Sequence, residues 1–163
     1  MRINTLARKL AEFRLVYRGD WAKQNGEINN LKKLTRYYTA LIEADQVIPL
    51  FQNLSENTAR IIAFCEFAFI KETDLESVKN HLPPKHISDG DVCWIINVTA
   101  AKNLEGWGIY HFFRTVLKIK YPQITKVCWN NPKRGTFKFF HVQRWVQPLV
   151  HSYGTQQSPR QLR

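Results

Sequence analysis

The sequence predicts an α+β fold, α/β-like in its middle, with one central mixed sheet flanked by helices and two N-terminal helices preceding the sheet. Three observations carry this. The first 44 residues repeat apolar side chains at helical spacing. Two later runs, 59–70 and 92–100, are dense in apolar residues at strand length. Residues 92–129 then read as strand, glycine turn, helix and strand, the pattern of a parallel crossover.

Ile3, Leu6, Leu10 and Phe13 mark a first helix over 3–18. The N-terminus, MRINTLARKLAEFRLVYRG, is basic and amphipathic and lacks the apolar segment of a secretory signal, so it reads as an ordinary helix. Ile28, Leu31, Leu34, Tyr38, Leu41 and Ile42 mark a second helix over 27–44. VIPLF, interrupted by Pro49, is a short first strand, and ARIIAFCEFAFI (59–70) a buried one. ETDLESVKNHL (72–82) reads as a short helix with acidic residues in its first turn and a double proline as its stop. SDGD (88–91) is a turn, VCWIINVTA (92–100) a buried strand, and 107–121 a helix ending at Pro122. ITKVCW (124–129) is a strand. NNPKRGTFKFF (130–140) begins as a turn and continues as a helix, and 141–150 forms a last strand. The expected organisation is one domain over 1–150 and a flexible tail over 151–163, whose composition is that of a disordered segment.

The chain has 163 residues, 44% of them apolar, which excludes an intrinsically disordered protein. No run reaches the roughly 18 apolar residues that span a bilayer. Cys65, Cys93 and Cys128 are far apart in sequence, with no metal-ligand spacing among them. They read as buried thiols of a cytoplasmic protein, and no metal is expected. Lys and Arg number 24 against 13 Asp and Glu, a net charge of +11. Such a field favours polyanions: nucleic acid, an acidic protein or a phosphorylated cofactor.

The segment NLEGWG, 103–108, carries the functional reading. Glycine costs about 0.8–1.0 kcal/mol against alanine inside a helix, yet Gly106 and Gly108 flank the start of one. The first backbone N–H groups of a helix are unpaired and sit at the positive end of its dipole. Glycines there let a phosphate approach those amides, so the pattern suits a pyrophosphate. The full dinucleotide fingerprint is absent, because no third glycine follows and no acidic residue stands about twenty positions on. A tight packing turn is the plain alternative.

On these residues the chain resembles the GNAT superfamily, the Gcn5-related N-acyltransferases. Asn103, Gly106 and Gly108 stand in the family's acyl-CoA loop, with Asn103 in place of the usual Gln or Arg and Lys102 beside it. VCWNNPKRGTFKFFHVQRW is similar to the family's next strand and aromatic segment, with Asn130 or Asn131 followed by Phe139 and Phe140. Phe140 replaces the tyrosine that often serves as general acid. A finer resemblance, to the toxin-activating lysine acyltransferases, rests on IAFCEFAF and on SDGDVCWIINVTAA. There Asn97 replaces a catalytic Asp, and no histidine precedes His81. The resemblance implies an acyl-CoA-dependent N-acyltransferase, most simply using acetyl-CoA. Lys102, Asn103, Gly106, Trp107, Gly108, Ile109 and Asn131 would bind the cofactor, and the main chain at Val98 and Thr99 would hold its pantetheine arm. The acceptor amine is not legible, and acyl-carrier protein is an alternative donor and partner.

Glu66, flanked by Cys65 and Phe67 in an apolar run, is a candidate general base, with a solvent-facing rim position as the plain alternative. Asn97 is a candidate for orienting substrate, or a satisfied core amide. His141 is a candidate acid or base near neutrality. His111, Arg114 and Lys118 share one face of the 107–121 helix, opposite a core face of Ile109, Phe112, Phe113 and Val116. That basic face reads as solvated surface or as a contact for the CoA 3′-phosphate. Lys133, Arg134 and Lys138, interleaved with Phe137 and Phe139, suit a nucleic-acid backbone with base stacking. A nucleic-acid binder on the same scaffold is therefore the second reading.

Overall fold

The computed structural model describes residues 1–55, 58–85, 87, 89–104, 107–131 and 134–141. Among them run four helices and five strands: α1 Ile3–Gln24, α2 Leu31–Glu43, β1 Val47–Ser55, β2 Thr58–Ile70, α3 Leu75–Lys79, β3 Val92–Ala100, α4 Trp107–Lys120, β4 Lys126–Asn131 and β5 Thr136–His141. Short 3-10 turns, Glu72–Asp74 and Lys102–Leu104, precede α3 and α4. The strands form one mixed sheet in the order β1-β2-β3-β4-β5. The α+β expectation therefore holds: one mixed sheet, with two helices ahead of it.

Pairing is antiparallel between β1 and β2, parallel between β3 and β4, and antiparallel between β4 and β5. Pro49 lies in β1, at the end of the strand order, where its missing N–H is tolerated. The parallel register, Val92 with Lys126 through Trp94 with Cys128, makes β3–α4–β4 the crossover that the sequence predicts.

The chain divides into two compact units, one of Met1–Ala68 with Ile95–Lys120 and one of Phe69–Trp94 with Tyr121 onward. In the first, α1 packs on α2. Its core joins Ala7, Leu10, Ala11 and Phe13 of α1 to Leu34, Tyr38 and Leu41 of α2 and to Ile61 and Phe64 of β2. Asn30 caps α2, its side chain accepting from the Lys33 amide at 3.2 Å. In the second unit, Ile70, Val78, Val92 and Cys128 are buried, with Leu75, Trp94, Phe137 and Phe139 packed on them.

Three expectations need correction. Residues 136–140, expected as helix, are strand and run on through His141: side chains alternate between exposed Thr136 and Lys138 and half-buried Phe137 and Phe139, and Gly135, at φ +58°, turns the β4–β5 hairpin. The 72–82 helix is a single 3-10 turn and five helical residues, ending before His81, which has positive φ. On α4 the core positions are Phe113 and Leu117, while Phe112 is exposed and His111, Arg114 and Lys118 are half-buried rather than a solvated face. The strand expected over 141–150 lies outside the described residues after His141, as does the whole tail.

Candidate functional site

The polar centre of the first unit is Glu66. It sits within β2, is only 1% exposed, and is surrounded by donors. Tyr38 Oη donates to Glu66 Oε1 at 2.6 Å, Arg14 Nη1 at 3.0 Å and Asn97 Nδ2 at 3.3 Å, while Tyr37 Oη donates to Oε2 at 3.0 Å. A buried carboxylate is tolerable only when paired and hydrogen-bonded, and here both conditions are met. The rim position facing solvent is thereby excluded.

Local sequence explains the convergence. Arg14 shares a helical stripe with Ala7, Leu10 and Ala11, so the stripe that buries α1 also buries Arg14, to 8% exposure. Tyr38 lies on the Leu34–Leu41 face of α2, and Tyr37 beside it. Asn97 points inward from β3, where burial alternates, and its amide also donates to Thr99 Oγ1 at 2.9 Å. Glu27, between α1 and α2, accepts from Arg14 Nη2 at 2.8 Å and more loosely from Arg18 Nη2 at 3.4 Å. Arg18 Nη1 donates to Asn97 Oδ1, and the Arg18 guanidinium lies over the Trp21 ring, 4.1 Å from its centroid.

Burial opposes the Arg14 charge, but Glu66, Tyr38 and Glu27 outweigh it, so its pKa is raised. Burial first, and the Glu66 carboxylate second, push both phenols far above the ordinary tyrosine value, so Tyr37 and Tyr38 stay protonated. These groups border a cavity of about 320 Å³ that Arg14, Arg18, Glu27, Tyr37, Glu66 and Asn97 line together with Ile28, Leu34 and Ile96.

No protein-family model and no curated protein matches the chain. Among solved structures it is similar to a protein described as a bacterial toxin, at 15% identity over 74% of this chain and 81% of that one, with a TM-score of 0.47. It is also similar to a predicted acetyltransferase from Clostridium acetobutylicum, solved with acetyl-CoA, at 21% identity over 98% of this chain and 87% of that one, TM-score 0.46. Neither likeness is strong enough to assign a fold family or a chemistry.

Of the residues singled out from sequence, the structure joins Glu66, Asn97 and Thr99 in one cluster. Val98 is half-buried on β3. Lys102 and Asn103 are exposed on the 3-10 turn, and Gly108 is exposed in the first turn of α4 beside half-buried Ile109. A methyl group built on Gly108 meets none of the described residues within 4 Å beyond its chain neighbours, so close packing among them does not explain this glycine. Gly106 and the Trp107 side chain lie outside the described residues, as does Lys133. Asn131, at the end of β4, turns the hairpin by accepting the Arg134 amide on its Oδ1 at 3.3 Å. His141 is exposed at the end of β5, 5.8 Å between ring centroids from Phe139, in the second unit and outside the Glu66 cluster. Arg134 and Lys138 are exposed on the hairpin.

Sequence reasoning misses Arg14, Arg18, Glu27 and Tyr37. One signal is present: Arg14 stands four residues after Leu10 and three after Ala11, on the apolar stripe, where a charged residue needs a buried partner. Among the described residues no group of three His, Cys, Asp or Glu could hold a metal, and no helix is long and apolar enough to cross a membrane.

Proposed function

We propose that the chain is an acyl-CoA-dependent N-acyltransferase of the GNAT kind, transferring most simply an acetyl group to an amine. The observation that carries this reading is the open glycine at the start of α4. Strand β3, the Asn103-to-Gly108 segment, α4 and the parallel strand β4 follow one another, and Gly108 is exposed with none of the described residues where a side chain would stand. Amides at a helix start, with no side chain on Gly108 to shield them, suit a pyrophosphate.

Bound acyl-CoA would supply a thioester carbon open to attack by an amine. Lys102, Asn103 and the amides of Gly106 to Ile109 would hold its phosphates. The main chain at Val98 and Thr99 would hold the pantetheine arm. The acceptor amine would enter the cavity beside Glu66. Of the two Glu66 oxygens, Oε2 carries the Tyr37 bond while Oε1 carries three, so Oε2 is the atom that would take the amine proton, through a water. Arg14 and Asn97 fix that carboxylate.

The test is thermal stability with acetyl-CoA. A ligand that binds only the native state adds about 2.7 kcal/mol at a hundredfold excess over Kd, which raises the melting temperature by several degrees. Gly108→Glu, which fills the approach and adds a negative charge, should abolish the shift. No shift in the wild-type protein at millimolar acetyl-CoA would sink the reading.

A second reading, a nucleic-acid-binding surface, is favoured by the β4–β5 hairpin. Lys138 faces Trp129 across the ladder, Trp129 stacks on Phe140 at 5.2 Å, and Arg134 is exposed at the turn. Sequence-selective binding that survives physiological salt, with no acetyl-CoA response, would favour it over acyl transfer.

A further inference from the structure

We infer that the cavity beside Glu66 is a recognition site for a small zwitterionic amine with an aliphatic side chain, an apolar α-amino acid in type, with Arg18 reading the carboxylate and Glu27 the ammonium group. The inference rests on the acceptor reading above and narrows it to a substrate class.

Charge is the first argument. The chain carries +11 overall, yet the cavity is lined by two guanidinium groups and two carboxylates, which cancel. A polyanion is therefore not what this cavity suits. Arg14 and Glu66 belong to each other: both are buried, 3.0 Å apart, and each is further satisfied by Tyr38. Arg18 and Glu27 are the looser pair. They are 3.4 Å apart, with side chains 21% and 31% exposed; Arg14 takes Glu27 Oε2 at 2.8 Å and Asn97 takes Arg18 Nη1, so Glu27 Oε1 and Arg18 Nη2 are the atoms left for a ligand. One cation and one anion thus face the same small space.

Unused hydrogen-bonding capacity is the second argument. Arg14 Nε and Arg18 Nε are buried and have no acceptor among the described residues. A buried donor without an acceptor is costly, so both guanidinium groups carry unspent donor capacity next to the cavity. Both arginines line the cavity, and the Arg18 plane is held over Trp21, which orients its donors. The third argument is the apolar wall of Ile28, Leu34 and Ile96. A volume of about 320 Å³ admits an amino acid of leucine size.

Equilibrium dialysis of the full chain against L-leucine tests this without acyl transfer. The comparison ligands are isopentylamine, which lacks the carboxylate, and 4-methylpentanoate, which lacks the amine. L-Leucine should bind at least about tenfold more tightly than either, since each lost charged hydrogen bond is of that size. Arg18→Gln and Glu27→Gln should each weaken leucine binding by about tenfold. Because the wild-type comparison needs no variant, a poorly folded Arg18→Gln protein does not spoil it. Absence of leucine binding at millimolar concentration, or equal binding of all three ligands, overturns the inference. If acetyl-CoA still stabilises the protein in that case, the acyltransferase reading stands and only the acceptor class falls. Selective leucine binding with no acetyl-CoA response has the reverse meaning.

Discussion

The Tyr38 hydroxyl donates to Glu66 at 2.6 Å, and the same Glu66 oxygen accepts from Arg14 at 3.0 Å. One residue from each of α1, α2 and β2 thus meets at a single buried carboxylate atom. Around it the apolar core of the first unit closes through Leu10, Leu34 and Phe64. The polar centre is consequently part of what holds these three elements in register, as well as the floor of the cavity.

Breaking the Arg14–Glu66 pair from one side should be expensive. Arg14→Met leaves a carboxylate buried beside two phenols, and the expected loss is about 3–5 kcal/mol. Glu66→Leu alone leaves the guanidinium paired with Glu27 at 2.8 Å, so it should cost less than Arg14→Met. The double replacement removes both charges and should cost well under the sum of the two singles. Urea unfolding of the four proteins measures the coupling, and additive losses would show that the two groups are energetically independent.

The phenols make stability fall at alkaline pH. Tyr37 and Tyr38 have pKa values raised in the folded protein, so above the unfolded value of about 10 the unfolded chain binds fewer protons than the native one. Their contribution is complete below pH 10 and is lost progressively as pH rises beyond it. Ultraviolet titration should show these two phenolates appearing only with unfolding. Tyr38→Phe should reduce the alkaline loss measured by denaturation at about pH 9 and about pH 11, on either side of that value.

Two glycines should respond in opposite ways to alanine. At Gly108 an added methyl meets none of the described residues within 4 Å, so Gly108→Ala should stabilise the protein by about 0.4–1 kcal/mol through the unfolded state. At Gly90 the same methyl would stand 1.7 Å from the Ile70 carbonyl oxygen, and Gly90→Ala should cost about 1–3 kcal/mol or more. Melting curves of the two variants decide it.

The thiols should be inert in the native protein. All three cysteines are buried thiols outside any disulfide, and burial pushes the Cys128 thiol up to about 12 and the Cys93 thiol higher still. A disulfide reagent at about pH 8, near the ordinary thiol value, should label none of them until denaturant is added, and then all three.

In the second unit Lys126 lies 2.9 Å from Glu72 and 3.0 Å from Asp91. Its hydrogen bond holds the Asp91 carboxyl below its ordinary value. Asp91 thereby favours folding above that value, and the contribution fades as pH falls through the lowered one. An NMR titration should place the Asp91 midpoint below 3.8, and Lys126→Met should return it toward 3.8.

Local pattern alone dictates the elements whose cause is local. Apolar spacing sets α1 and α2, and the dense runs at 59–70 and 92–100 can be satisfied only as buried strands. Glycine chemistry marks the start of α4, and the crossover from β3 to β4 follows from strand–helix–strand order. Glu66 is legible as unusual because a carboxylate inside an apolar strand must be compensated. Its compensation is not legible, since Arg14 lies 52 positions away, Tyr38 28 and Asn97 31. No local pattern couples such distances; only the packing of α1 and α2 on the sheet brings donors and acceptor within hydrogen-bond reach. The same cause explains the misread segment 136–140: its aromatic residues fit a helix or a strand equally well until β4 supplies the ladder of backbone partners that makes it β5.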